Sequence, residues 1–214
     1  KKLPAPSYAA PQLNDKPGWY RIAPHVHTVH SDGRLTPAEV ITLGKASGLD
    51  GIVSTDHNTT SALLHWGEVQ DPEFLVINGV EVTYGQGHWN IFGLDPHAWI
   101  DFRIHHNDTL RYRKAVAKAR KAGRLLVANH PYNLDFLYDV TPMDGIEVWN
   151  SAWSPANERA VELWHTLLVG GNRKFAVAST DFHRGGNIAS PHTVVRAEAL
   201  SAEAVIDAIA AGRS

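Results

Sequence analysis

Cysteine is absent from the 214 residues. That removes disulfides, thiolate metal ligands and cysteine nucleophiles together. No apolar run approaches the ~18 residues that a membrane-spanning helix needs. Neither sign of charge dominates, since 20 Lys and Arg against 22 Asp and Glu leave a formal net charge of −2 and a pI near 6.7. A strong electrostatic attraction to nucleic acid or to a membrane surface is therefore not implied, and the partner is read as a small-molecule substrate. No linker-like stretch interrupts the chain, and 43% apolar with 20% charged residues suits one domain with a sizeable core. The chain opens on Lys1 rather than Met, which reads as a processed or trimmed product. An exported, periplasmic location and a cytoplasmic one both stay open, and the oligomeric state is not legible.

Histidine is what the chain holds in quantity: thirteen, scattered rather than run together. The stretch that organises them is Pro24-His25-Val26-His27-Thr28-Val29-His30-Ser31-Asp32-Gly33. Residues two apart in a strand share a face, so His25 and His27 present two imidazoles side by side. Asp32, between a Ser and a Gly where the chain turns out of the strand, brings a carboxylate back over the same place. Taken alone, this stretch serves equally well as a metal ligand pair or as two half-buried packing histidines.

The rest of the chain alternates short apolar strands with amphipathic helices. Residues 1–20 carry Pro4, Pro6, Pro11 and Pro17 and read as an extended lead-in to a domain over 21–214. A first strand runs from Arg21 to His27. Thr36-Pro37-Ala38-Glu39 is a capping box with Pro at the first helical position, followed by Val40, Leu43 and Ala46 on one face up to Gly48. Strands follow at 50–55, 74–82, 88–94, 124–128, 145–149, 175–179 and, more weakly, 193–196. Helices are expected from Asn107 to Ala122, from Ser154-Pro155 with Val161, Trp164 and Leu168 buried, and from Ser201 to Ala210 with Val205, Ile206 and Ile209 inward. The basic face Arg111, Lys114, Lys118 and Lys121 reads as the solvated side of its helix. This pattern predicts a single-domain parallel, barrel-like α/β fold, in which chemistry collects at the C-terminal ends of the strands. His25, His27, His57, Glu81, His130, Asp181 and His183 all fall at such ends.

The candidate ligand set is His25, His27, Asp32, His57, Glu81, His88, His130, Asp181 and His183. Nine ligands exceed the needs of one ion and suit two or three divalent ions sharing bridging carboxylates. Glu81 and Asp181 are the natural bridges, because a carboxylate has two oxygens and an imidazole offers one lone pair. Nitrogen and oxygen donors without sulfur favour zinc, manganese or iron.

His25-x-His27 with Ser31-Asp32-Gly33, Thr55-Asp56-His57-Asn58, Gly79-Val80-Glu81, Asn129-His130-Pro131 and Asp181-Phe182-His183 resemble, in order, the motifs of the PHP (polymerase and histidinol phosphatase) domain. The resemblance covers about residues 21 to 212. It implies a distorted (β/α)7 barrel, a two- or three-metal hydrolase site, and ligand roles for the nine residues above. Gly87-His88-Trp89-Asn90-Ile91-Phe92-Gly93 and Ile146-Glu147-Val148-Trp149-Asn150 are similar to the CehA/McbA-type metallohydrolases, some associated with aryl carbamates and most described only as phosphoesterases.

The expected activity is hydrolysis of a small-molecule phosphate ester by hydroxide bridging two or three ions, with a carbamate or carboxylic ester hydrolase on the same metals as the alternative. A non-catalytic metal-binding module ranks last, because it predicts broken ligand motifs and none is broken. Asp181 and Arg184 are the expected catalytic residues, Arg184 as a clamp on phosphoryl oxygens. His192 reads as a proton donor, a support for a ligand, or a packing residue. Asn150, Tyr84 and Tyr132 are candidate substrate-binding residues, and with Trp149 and Trp153 they could line a pocket for an aromatic or sugar-like group. The tryptophans serve equally well as core. His65, His97 and His165 read as structural or surface, His30 has no assigned role, and His105-His106 could line the mouth of the site.

Overall fold

The inward-facing positions of the strands change character along their length, and that change builds the molecule. The computed structural model describes residues 10–85, 87–105, 108–132 and 139–214. The elements in order are β1 (Gly18–Val26), α1 (Pro37–Ala46), β2 (Gly51–Ser54), α2 (Leu63–Trp66), β3 (Leu75–Tyr84), β4 (Gly87–Phe92), α3 (Thr109–Ala122), β5 (Leu125–Asn129), β6 (Gly145–Asn150), α4 (Pro155–Val169), β7 (Phe175–Ser179), β8 (Thr193–Ala197) and α5 (Ala202–Ala210).

The strands form one eight-stranded sheet in the order β7-β6-β5-β4-β3-β2-β1-β8. Pairing is parallel for β1–β2, β2–β3, β5–β6 and β6–β7, and antiparallel at β4 and β8. The sheet nearly closes on itself into a distorted barrel. At the C-terminal end, the backbone of His27 donates to Phe182 O at 2.8 Å, and Val26 and Phe182 form a parallel bridge. Lower down, β8 is wedged between β1 and β7, with Thr193 Oγ1 bonded to Ala178 N and O at 2.9 Å each.

Inside the barrel, Ile22, Val53, Ile77, Val127, Val177 and Val195 pack with Val205, Ile206 and Ile209 of α5, so the last helix plugs the N-terminal opening. Two residues further along each strand the inward side chain is small or polar. Ile77 gives way to Gly79 and Glu81, Val127 to Asn129, and Val177 to Ser179. This follows from the two-residue period of a strand. Gly79 has no alternative, since a Cβ there would lie 2.7 Å from Ile91 O and 2.9 Å from Ser54 O. The outer face is covered by α1 and α2 over β1–β3, and by α3 over β4–β6.

Most element boundaries lie within one to three residues of those expected. The capping box is present as read: Thr36 Oγ1 accepts from Glu39 N, and Glu39 accepts from Thr36 N. Three readings change. The first strand starts at Gly18, inside the expected lead-in, whose residues 10–17 are tied to the barrel by Leu13 N donating to Leu200 O at 2.8 Å. Helix α1 buries Pro37, Val40, Ile41 and Gly44 and leaves Ala46 exposed, because Gly44 lets the helix sit directly on the Phe74 ring. Helix α4 buries Asn157 and Ala160, while Val161, Trp164 and Leu168 are only half-buried. A buried Asn157 fixes that rotation by bonding Asn150 N and O. Helix α3 turns its basic face to solvent as expected and is capped by Asp108. Residues 1–9, His106 and Asn107 lie outside the described residues.

Candidate metal centre

All nine residues named from the sequence meet at the C-terminal end of the barrel. Their donor atoms form four overlapping groups, each within 4.8 Å: His27, Asp32, His57 and His183; His25, His130 and Asp181; His25, His27 and Glu81; and His57, Glu81 and His88. Glu81 is fully buried at the centre. Its oxygens lie 3.3 Å from His25 Nε2, 3.5 Å from His27 Nε2, 2.7 Å from His57 Nδ1, 3.2 Å from His88 Nδ1 and 3.5 Å from His130 Nε2. Asp181 takes the second shared position, 3.1 Å from His25 Nε2, 2.9 Å from His27 Nε2 and 3.7 Å from His130 Nε2. Asp32 is the outermost member, 60% exposed, 3.5 Å from His57 Nε2 and 3.2 Å from His183 Nε2.

The donor set fits divalent cations on an observation independent of motif. His25 Nε2 and His88 Nδ1 are buried and form no hydrogen bond among the described residues, although each lies within 3.3 Å of a carboxylate oxygen. Their lone pairs converge on the space between the carboxylates, and a buried polar atom without a partner is costly unless something else satisfies it.

Buried neighbours orient these rings. Glu147 Oε1 lies 3.0 Å from His25 Nδ1, which turns Nε2 inward, and its other oxygen accepts from His130 N at 3.0 Å and Asn150 Nδ2 at 3.1 Å. His183 Nδ1 donates to Asp181 O at 2.8 Å, which leaves Nε2 for the cluster. Asn129 Nδ2 donates to Glu81 Oε1 at 2.7 Å. Asp56 holds the turn before Asp32 by accepting from Thr28 N and Thr28 Oγ1 at 2.8 Å and from Ser31 Oγ at 2.7 Å. Gly33 closes that turn where a Cβ would stand 2.5 Å from the His27 carbonyl. Glu147 and Asp56 received no role from the sequence. The signal for both is an acidic residue inside an otherwise apolar strand or at its end, which only burial with partners makes tolerable.

Backbone strain collects at the same end. Asn58, His130, Ser151 and Asp181 adopt positive φ of 55°, 26°, 53° and 53°. Such conformations cost of order 1–3 kcal/mol each and persist where surrounding structure enforces them.

Electrostatics follow from the burial. Desolvation opposes charge on His25, His57 and His130, but nearby carboxylates outweigh it: Asp181, Glu81 and Glu147 at His25, Glu81 and Asp32 at His57, Glu81 and Glu147 at His130. All three stand above the ordinary imidazole value. His27 stands below it, through burial and the neighbouring His25 charge. Glu81 and Asp181 lie below the usual carboxylate range, since desolvation is overcome by His25 and the other imidazoles. A cation held there would compete with protons for these imidazoles.

The remaining predicted site residues are placed as follows. Arg184 is exposed, has no ion-pair partner among the described residues, and lines a cavity of about 280 Å³ with Asp181, His183 and Ser151. His192 donates from Nδ1 to Ala189 O at 2.7 Å and accepts at Nε2 from Arg21 Nε at 3.2 Å, so both ring nitrogens are engaged in the outer wall. Of the three roles the sequence leaves open for His192, these two contacts match packing. Tyr84 is buried with Val80, Val82 and Trp89, because an odd number of positions from Glu81 puts it on the opposite face of β3. Asn150 is buried and braces Glu147, and Tyr132 lies under the Arg159 guanidinium at 4.1 Å. Trp149 and Trp153 are exposed rather than core.

No family model matches the chain, and no curated protein does. Solved structures do. A two-domain protein from Bacteroides vulgatus, described as containing a predicted PHP-like metal-dependent phosphoesterase, superposes with a TM-score of 0.71 at 21% identity, over 96% of this chain and 66% of that one. An amidohydrolase from Chromobacterium violaceum, with bound sulfate and no metal, gives 0.57 at 19% identity over 80% and 90%. A protein from Bifidobacterium adolescentis described as a metal-dependent phosphoesterase gives 0.54 at 16% identity over 90% and 96%. The chain spans just under two thirds of the first of these. What the three share with this chain is the fold: a distorted α/β barrel.

Proposed function

We propose that the chain is a metal-dependent hydrolase of the PHP kind, and that its substrate is a small-molecule phosphate ester. The observation that carries this reading is the shared use of Glu81 and Asp181 by imidazoles from several strand ends, an arrangement suited to two or three ions rather than one. His27, Asp32, His57 and His183 would hold the most exposed ion, with His25, His130 and Asp181 and the Glu81 groups holding the rest. Zinc, manganese and iron all suit these donors. Divalent ions there supply a water deprotonated near neutral pH and neutralise charge on the phosphoryl oxygens. The chain's own residues do the remainder. Glu147 and Asn129 keep the ligands aimed, Asp56 keeps Asp32 in place, and Arg184 offers a forked donor to an anionic oxygen at the cavity beside His183. Two of the structural neighbours are described as phosphoesterases, and the amidohydrolase holds sulfate, a phosphate-like anion.

One observation favours the second reading, a carbamate or carboxylic ester hydrolase of the CehA/McbA type. Among the residues lining the cavity, Arg184 is the one cationic side chain. The two readings separate on Arg184→Ala, assayed with metal content matched to wild type. For a phosphate ester the loss in kcat/KM should correspond to roughly 2–4 kcal/mol, the scale of one charged donor to the transition state. A neutral aryl carbamate or ester should lose far less. Equal loss on both, or none on either, removes Arg184 from the site.

A further inference from the structure

Of the five polar or aromatic side chains that follow the strand ends and could meet a substrate, two remain uncommitted. Tyr84 is in the wall, Asn150 braces Glu147, and Tyr132 is covered by Arg159. Trp149 and Trp153 instead stand 38% and 51% exposed. They meet edge to face, with ring centroids 5.2 Å apart and planes at 88°. Large apolar surface left in water at one place needs a reason, whereas a buried tryptophan does not.

The pair is held, not loose. The Trp149 indole N–H donates to Ser151 O at 2.9 Å, so its polar atom is bonded within the corner. Ser151, with positive φ, is in turn fastened to the strand end that carries Asp181. Its N donates to Ser179 O at 3.0 Å and its Oγ to Thr180 O at 2.6 Å. Ser151 and Ala152 form one wall of the 280 Å³ cavity whose other lining includes Asp181, His183 and Arg184. The aromatic corner is thus joined through Ser151 and Ala152 to the cavity that opens on the metal ligands, and its position is fixed relative to them.

We propose that Trp149 and Trp153 form the binding wall for a leaving group that carries a planar aromatic or heteroaromatic ring, with the ester oxygen, borne by the ring itself or by a sugar attached to it, directed to the cavity between Ser151 and Arg184. This rests on the phosphoesterase reading above and names the substrate class within it. An aryl group and a nucleobase share the required chemistry, a flat π surface that stacks on an indole face or meets its edge.

The test uses the metal-loaded full chain and the variants Trp149→Ala, Trp153→Ala and Trp149→Phe, with phenyl phosphate, a nucleoside monophosphate and glycerol phosphate as substrates. The Ala variants should raise KM about tenfold for one or both ring-bearing substrates, a loss on the scale of one stacking contact. KM for glycerol phosphate should stay within about twofold, and Trp149→Phe should retain most of the preference. Comparing phenyl phosphate with the nucleotide tells an aryl group from a base. An equal effect on all three substrates, or none on the ring-bearing ones, overturns the proposal. Phenyl phosphonate, which is not hydrolysed, separates failure of this wall from failure of the phosphoesterase reading. Quenching of tryptophan emission by that probe, diminished in both Ala variants, supports the wall even if no phosphate ester turns over. No quenching in wild type overturns it.

Discussion

The two ends of the barrel are made of the same strands and obey different rules. At the N-terminal end, α5 closes the opening with Val205, Ile206 and Ile209, and Arg120–Asp144 and Arg124–Asp207 pair near the surface. Lys174, almost fully buried, donates to Thr141 O at 2.7 Å and to Met143 O, and burial lowers its pKa. A cavity of about 670 Å³ also lies at this end, between the starts of β5–β7 and residues 210–214, and touches none of the nine clustered residues. At the C-terminal end, imidazoles and carboxylates are buried against one another, four buried imidazole nitrogens form no hydrogen bond among the described residues, and Asn58, His130, Ser151 and Asp181 hold positive φ. Volume alone would point to the wrong end. What marks a site is where a sequence accepts costs that folding by itself would avoid.

The largest effect that could break this contrast comes from Asp181→Asn. The change keeps size and gives up the charge that lies within 3.7 Å of His25, His27 and His130. Turnover should fall by about 10³-fold or more, with lower metal content and an unchanged circular dichroism spectrum. Retention of most turnover would mean that the rim's carboxylates are not the working part. A smaller effect is expected from Glu147→Gln, which keeps a hydrogen-bond acceptor near His25 but not the carboxylate. Metal affinity should weaken about 10- to 100-fold, seen as a rightward shift in metal titration of the chelated protein. An unchanged titration would remove Glu147 as an orienting residue. The smallest effect sharpens the contrast from the other end. Lys174→Met should cost about 1–3 kcal/mol in urea unfolding, because two carbonyls lose a buried donor, while metal content and kcat/KM stay as in wild type. Loss of activity beyond the loss of folded protein would show that the two ends are coupled.

Much of the fold, and the meeting of the nine residues at one end of it, could be read from residue order. Strand period explains why: once His25 and His27 share a face and the other ligands fall at strand ends, a parallel barrel brings them to one place. The remainder depended on information a linear chain does not display. Glu147 looks like one acidic residue in an apolar strand until His25 is seen 3.0 Å away. His192 follows the last ligand segment closely, yet it stands just before β8, which pairs antiparallel with β1, and there it meets Arg21. The rotation of α4 was misread because apolar spacing favoured Val161 and Leu168, whereas the buried Asn157 is held by polar bonds to Asn150. Periodicity reports greasy faces, and it is blind to a helix turned by hydrogen bonds.

The closure at Phe182 has a consequence for how the molecule comes into being. His25 and Ser179, separated by 154 positions, exchange hydrogen bonds in both directions at 3.1 Å, and His27 reaches Phe182 at 2.8 Å. The first and last ligand segments therefore meet only after nearly the whole chain has been made. Contacts of such long sequence separation slow the search for the native state, because the intervening loop must close before they contribute. A growing chain carries His25 and His27 long before Asp181 emerges, and until then it has no complete cluster for a metal to join. The full set of nine would come together only when the segment after β7 closes against β1.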